Sequence, residues 1–220
     1  MEWALAVIRG IGYGLFLGMM SFGPAFFALI QVGMQGGKKA GWRMATGIFL
    51  ADLVVALACF YGLAGLFSTP WFQLVFAGFA ASGILFMGVR GFVVKYRNFI
   101  ENLQKPMNPN ATLLQGFVVN LMNPFVILLW VGILGTITVG HDSQTDHEYT
   151  ILVEMMSILL TVFSLDLGKV FLSDYIGRKL NLRIYYYFNK YVGLLLVIIG
   201  VYYAYHFVKL LISQVPALFQ

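Results

Sequence analysis

The chain has 220 residues, 60% of them hydrophobic and 10% charged, with a mean hydropathy of +0.83. Soluble domains run about 45–50% apolar and about 25% charged, so this much apolar surface excludes an ordinary soluble domain. Disorder needs low hydrophobicity, and a disulfide scaffold needs paired cysteines, whereas Cys59 stands alone. The net charge of +5 is no nucleic-acid signature, because the Lys and Arg residues lie between apolar runs.

Six apolar runs follow in chain order, over 10–34, 42–66, 72–94, 112–138, 149–172 and 188–210. Each is long enough for a membrane helix of about 20 residues and too continuous for an alternating barrel strand. The first is expected to be a retained helix and not a signal peptide: Glu2 precedes Arg9, the apolar stretch exceeds a signal core, and no A-x-A site follows. A tight turn at Ser68-Thr69-Pro70 joins the second and third; the other connections are polar.

Orientation follows from the Lys and Arg count of each connection. The first carries Lys38, Lys39 and Arg43, the third Lys95, Arg97 and Lys105 after Arg90, and the fifth Arg178, Lys179, Arg183 and Lys190. The second has none, nor has the fourth, from His141 to Glu148. Connections one, three and five are therefore expected in the cytoplasm and both termini outside.

Spans one and four each carry a break deep in an apolar run: Ser21-Phe22-Gly23-Pro24 and Asn120-Leu121-Met122-Asn123-Pro124. Proline removes a backbone donor and clashes with the preceding turn. A single break reads as a plain kink. Two in matching places predict one all-α domain, 1–220, built as two inverted three-helix repeats: about 1–94, then a cytoplasmic linker of about 95–111, then about 112–220. Interrupted helices in inverted repeats place a transport site near the midplane.

Charged side chains in hydrocarbon cost roughly 2.5–3.5 kcal/mol each at a helix centre, and three lie well inside spans: Asp52, Asp166 and Lys169. Asp52 is too short to snorkel, and a buried carboxyl that can take up and release a proton suits a reversible carrier. Asp166 and Lys169 are three residues apart and can pair on one face; a structural ion pair or a snorkelling lysine is the bland alternative. Glu154 is expected at the outer interface. Gln31 follows Pro24 by seven residues, on the same helix face, while Asn120, Asn123 and Trp130 share a face of span four. For Asn120 the preferred reading is interhelical hydrogen bonding. The run Gly10, Gly14, Gly18 permits close helix packing. No Walker loop, catalytic triad or intramembrane His/Cys set is visible in the spans, so neither a cofactor nor a metal site is expected; the loop from His141 to Glu148 reads as solvated.

The segment Ser21-Phe22-Gly23-Pro24, Gln31-Val32-Gly33, Gly36-Gly37-Lys38-Lys39-Ala40-Gly41, Gly47 and Asp52, with the break Asn123-Pro124, resembles the lysine exporter (LysE-type) family, including its homoserine and threonine exporter branch. Phe22 replaces the first proline of that family's usual P-G-P. The resemblance implies a bacterial inner-membrane exporter of amino acids or related small metabolites, driven by an ion gradient. Expected substrate-binding residues are Gly23, Pro24, Phe27, Gln31, Asn123, Pro124 and Trp130, with Asp52, Asp166 and Lys169 for proton coupling and charge. A carboxylate at the Gly23-Pro24 break and an ammonium toward Asp52 would suit a zwitterion, and Phe26, Phe27 and Trp130 would favour a neutral one. The expected partners are this small molecule and the lipid bilayer; nucleic acid is not expected and a homo-oligomer stays open. A metal-ion exporter of the same superfamily and a non-transporting membrane subunit are the alternatives.

Overall fold

A computed structural model describes residues 2–20, 23–63, 69–103, 108–139, 147–179 and 181–218, and among them every element is helical. Helix α1 spans Glu2–Met20 and α2 spans Pro24–Ala58, running on into a π-helical turn at Cys59–Leu63. Next come α3 (Pro70–Val93), α4 (Tyr96–Leu103), α5 (Pro109–Leu121), α6 (Pro124–Val139), α7 (His147–Lys179) and α8 (Leu182–Leu218).

Local chemistry sets the starts. Pro70 opens α3 behind Thr69, whose side chain accepts from Phe72 N at 3.4 Å. Pro109 opens α5 behind Asn108, whose carboxamide oxygen accepts from Asn110 N and Ala111 N. A proline at the first helical position forfeits no intrahelical bond. The expected Gly-rich connection after span one is a tight corner within α2, where two helical stretches meet at Gly37 with φ +67. Only glycine takes that backbone cheaply. The expected turn residue Ser68 and the outer loop 141–146 lie outside the described residues.

Among the described residues, three stretches are long and apolar enough to cross a bilayer: Pro24–Gly62, Tyr149–Lys179 and Leu182–Lys209. The apolar parts of α1 and α3, Trp3–Met19 and Ala77–Val93, are shorter. The expected fourth span is divided between α5 and α6, of 13 and 16 residues. At about 1.5 Å per residue each rises only some 20–24 Å, short of the roughly 30 Å hydrocarbon core.

Helix α3 packs along α8, α2 packs against α5 and α7, and α1 packs against α7. Glycines set the approach. A Cβ at Gly10 would stand 2.6 Å from the Glu154 carbonyl oxygen, and one at Gly14 would stand 2.6 Å from Thr161 Cβ. Gly18 meets Leu165 in the same way, so α1 and α7 run parallel. Glu154 is buried, 1% exposed, because the glycine face of α1 lets α7 come that close. Gly47 faces the Leu113 backbone and Gly116 the Met44 backbone, and further along both helices Asn120 bonds Ile48 and Asp52, so α2 and α5 are again a parallel pair. Contacts of Gly78 with Phe207, Gly88 with Val197 and Gly200 with Leu85 make α3 and α8 antiparallel.

One core gathers Leu17, Val55, Trp130, Met155 and Ile158, and a second gathers Leu29, Met44, Ile48, Val119 and Val170. The outside is apolar as well: Ile8, Phe16, Phe79, Phe86 and Ile198 are exposed. An aqueous surface avoids so much contiguous apolar area; a bilayer solvates it.

Basic residues of the first and fifth connections, Lys38, Arg178 and Lys190 among them, lie at one end of the bundle. Tyr186 donates to the Val94 carbonyl at 3.2 Å, Lys190 lies over the Phe92 ring and Lys38 over Phe171. Helix α4, unforeseen in the polar linker, docks there through Phe99, which is buried against Tyr185 and Tyr186.

Candidate functional site

Helix packing brings six side chains from four elements around one internal cavity of about 40 Å³: Phe26, Asp52, Asn120, Trp130, Asp166 and Lys169. Asp52 reaches it because Gly47, one turn earlier, lets α2 press on α5. Asn120 stands at the end of α5, just before the second break. Its Nδ2 donates to Asp52 Oδ1 at 3.0 Å and to the Ile48 carbonyl at 3.1 Å. Trp130 Nε1 donates to the same Asp52 oxygen at 3.4 Å. Asp52 is 8% exposed, and Asn120 and Trp130 are each 3% exposed. Two donors thus fix a carboxyl that had no partner nearby in sequence.

Across the cavity, Lys169 Nζ donates to Asp166 Oδ1 at 2.8 Å, one helical turn back. The ammonium also lies 5.6 Å from the centre of the Phe26 ring, within cation–π range. Ala25 and Phe26, in the first turn of α2, line the cavity. The first N–H groups of a helix have no intrahelical acceptor, and the dipole there favours negative charge. A site offering an ammonium and a helix start on one wall, and a carboxyl on another, has the chemistry to take both poles of a zwitterion. A cavity of this size holds water, which needs about 10–15 Å³.

The two breaks lie against each other: a Cβ at Gly23 would be 2.9 Å from Asn123 Nδ2. Asn123 is buried, and its own N–H bonds the Asn120 carbonyl at 3.0 Å. Pro24 and Pro124 begin α2 and α6. Among the described side chains, Gly23, Pro24, Asn123, Phe27 and Gln31 are not part of the cavity lining. Phe27 packs with Ile84, Val192 and Leu196 under α8. Gln31 Nε2 donates to Asn189 Oδ1; Asn189 Nδ2 donates to the Gly91 carbonyl, and Tyr185 Oη donates to the Gln31 carbonyl. Gln31 therefore ties the first half of α2 to α8 and α3. Ser21 and Phe22 lie outside the described residues.

Asp174 escaped the sequence reading. It is buried beside the Gly37 corner, where a glycine Cβ would lie 3.1 Å from its Oδ1, and it accepts from Arg178 Nε at 3.1 Å. Its signal was available: it follows Asp166 by eight residues, on the same helix face. Among the described residues no group of three or more His, Cys, Asp or Glu side chains is placed to hold a metal.

The family model for LysE type translocators matches residues 16–206. A protein of Bacillus subtilis (strain 168) named "Putative amino acid efflux protein YcgF" is 23% identical over 203 residues, covering 87% of this chain and 91% of the relative. The "Leucine efflux protein" of Enterobacter sp. (strain 638) is 26% identical over 176 residues, covering 77% of this chain and 82% of the relative. No solved structure matches the chain. The family match takes in both helix breaks and every residue around the cavity, and this membrane-embedded chain belongs to the LysE type translocator family.

Proposed function

We infer that this chain exports amino acids or related small zwitterionic metabolites from the cytoplasm across the bacterial inner membrane, coupled to the proton gradient. The observation that carries this reading is the single cavity walled by Asp52 on one side and by Asp166 and Lys169 on the other. Export and amino-acid cargo are supported by the names of the two relatives. In this geometry the cavity has room only for water, so cargo enters only when the helices part. A cargo carboxylate competes with Asp166 for the Lys169 ammonium and draws on the helix start at Ala25 and Phe26. The cargo ammonium, or a proton after its release, goes to Asp52.

Six spans as two inverted repeats, with both termini outside, complete the proposal. The pairing of α1 with α7 matches that of α5 with α2: each is parallel, and each sets the helix before a break against a carboxylate-bearing helix of the other half. The antiparallel pair α3 and α8 is the arrangement that a twofold axis in the membrane plane would produce. The basic end of the bundle supports a cytoplasmic assignment for that face.

Proteoliposomes holding the purified chain test the cargo. A neutral amino acid should be transported down an imposed proton gradient and should outcompete both its methyl ester and its deaminated analogue. Equal competition by either analogue, or by a divalent metal ion, would overturn the two-pole site.

A further inference from the structure

A second and larger space lies beside the Asp52 cavity. It is a groove of about 820 Å³ between α1 and α6, lined by Arg9, Gly12, Tyr13, Phe16, Leu129 and Gly132, together with Leu17 and Ile133. Leu17 and Leu129 belong to both linings. Two aliphatic side chains therefore divide the small closed cavity from the large open one. Leu17 is buried at 6% exposure and packs in the core with Trp130, the residue that bonds Asp52.

The groove is open because of two glycines. A Cβ added at Gly12 or at Gly132 would meet nothing within 4 Å, in contrast to Gly10 and Gly14 on the packed face of the same helix. Glycine at these two positions fills no packing need, and it keeps the groove wide. Arg9 supplies a cation to the lining, about two helical turns, or roughly 12 Å, from Leu17. Apolar walls with a guanidinium toward one end fit a small molecule with a carboxylate and an apolar body.

We propose that Leu17 and Leu129 form the outer gate of the Asp52 cavity, and that the groove between α1 and α6 is the path by which the exported zwitterion leaves, drawn past Gly12 and Gly132 toward Arg9. This rests on the export reading above and adds to it a route, a gate and a carboxylate-attracting exit. Apolar side chains suit a gate: they seal a water-sized space without hydrogen bonds to break, and rotamer changes alone can part them. The route also favours cargo with an apolar side chain over equally small polar cargo.

The test is a size series at Gly12 and Gly132, each changed to Ala, Leu and Trp, in the full chain reconstituted in proteoliposomes. Two readouts are taken together: efflux of a neutral amino acid, and the shift in thermal midpoint that this amino acid gives the detergent-purified protein. Gly132→Ala and Gly12→Ala should export normally. Gly132→Trp should lose efflux while keeping both its own thermal midpoint and the ligand shift, since the Asp52 cavity is untouched. Arg9→Gln should slow efflux of the amino acid more than that of its methyl ester. Full efflux by Gly12→Trp and Gly132→Trp, in protein that is folded and binds ligand, overturns the route and leaves the groove to lipid. A wild-type chain whose midpoint does not respond to the amino acid overturns the export reading instead, so the two failures are distinguishable.

Discussion

Neutralising Lys169 alone should damage the protein more than neutralising Lys169 and Asp166 together. The two side chains are 19% and 8% exposed and meet at 2.8 Å. At that separation and an effective dielectric near 20, their gross attraction is about 6 kcal/mol, most of it offset by the cost of taking both charges out of water. Lys169→Met keeps most of the aliphatic stem and strands a buried carboxylate, a loss of about 3–5 kcal/mol. The cation–π contact with Phe26 adds about 0.5–1 kcal/mol to that loss. In Lys169→Met with Asp166→Asn no charge is stranded, and the expected loss falls to about 1–2 kcal/mol, so the two changes should couple by at least ~2 kcal/mol. Denaturant unfolding in mixed micelles, run as a double-mutant cycle with Asp166→Asn as the other single change, measures this directly. Additive losses, with the double variant as weak as the sum of the singles, would refute the pair as a buried, mutually compensating unit.

Asp52→Asn should insert and fold, because an amide oxygen still accepts from Asn120 and Trp130. It should lose the response of efflux to an imposed pH gradient, and proton-driven export at the wild-type rate would reduce Asp52 to a structural role. Gly47→Ala should lower stability by about 1–3 kcal/mol, since its Cβ overlaps the Leu113 carbonyl, whereas Gly12→Ala should leave the thermal midpoint unchanged. For orientation, a cysteine at Ser143 should react with an impermeant thiol reagent in intact cells and a cysteine replacing Lys39 should not; the opposite pattern reverses the assignment of the two faces.

Composition made the membrane setting legible, and the two prolines marked where α2 and α6 begin. Sequence could not show what lies opposite each residue. Phe26 and Phe27 are adjacent and look interchangeable, yet a helix turns about 100° between them, so Phe26 faces the cavity and Phe27 goes under α8. Gln31 shares a face with Phe27 by helical spacing and follows it toward Asn189. Asn120 read as packing and is packing, through the Ile48 carbonyl, but the same amide also fixes Asp52. A residue more than sixty positions away in sequence leaves no local trace of such a bond. The Gly36-Gly37-Lys38-Lys39 segment read as a connection because glycine and charge punctuate chains; it is one, reduced to a single non-helical residue, Gly37, where two helices meet.

The chain order of the packing explains why each break needs the other half of the molecule. Helix α1 ends beside Leu165, next to Asp166, and α5 ends beside Asp52. Each approach depends on glycines: Gly10, Gly14 and Gly18 on one face of α1 in the first pair, and Gly47 and Gly116 on the two facing helices in the second. Without a hydrophobic drive between helices in lipid, such close packing is what holds them together. A break alone would expose unsatisfied backbone groups to hydrocarbon, which the bilayer does not tolerate. Here Gly23 is set against the Asn123 amide, and the second break is bonded to Asn120. The two interruptions therefore lie against each other, beside the cavity that holds the buried charges. The first break lies against the second, and Asp52 of α2 is held by Asn120 of α5 and Trp130 of α6, so the helices before and after the linker build this site jointly.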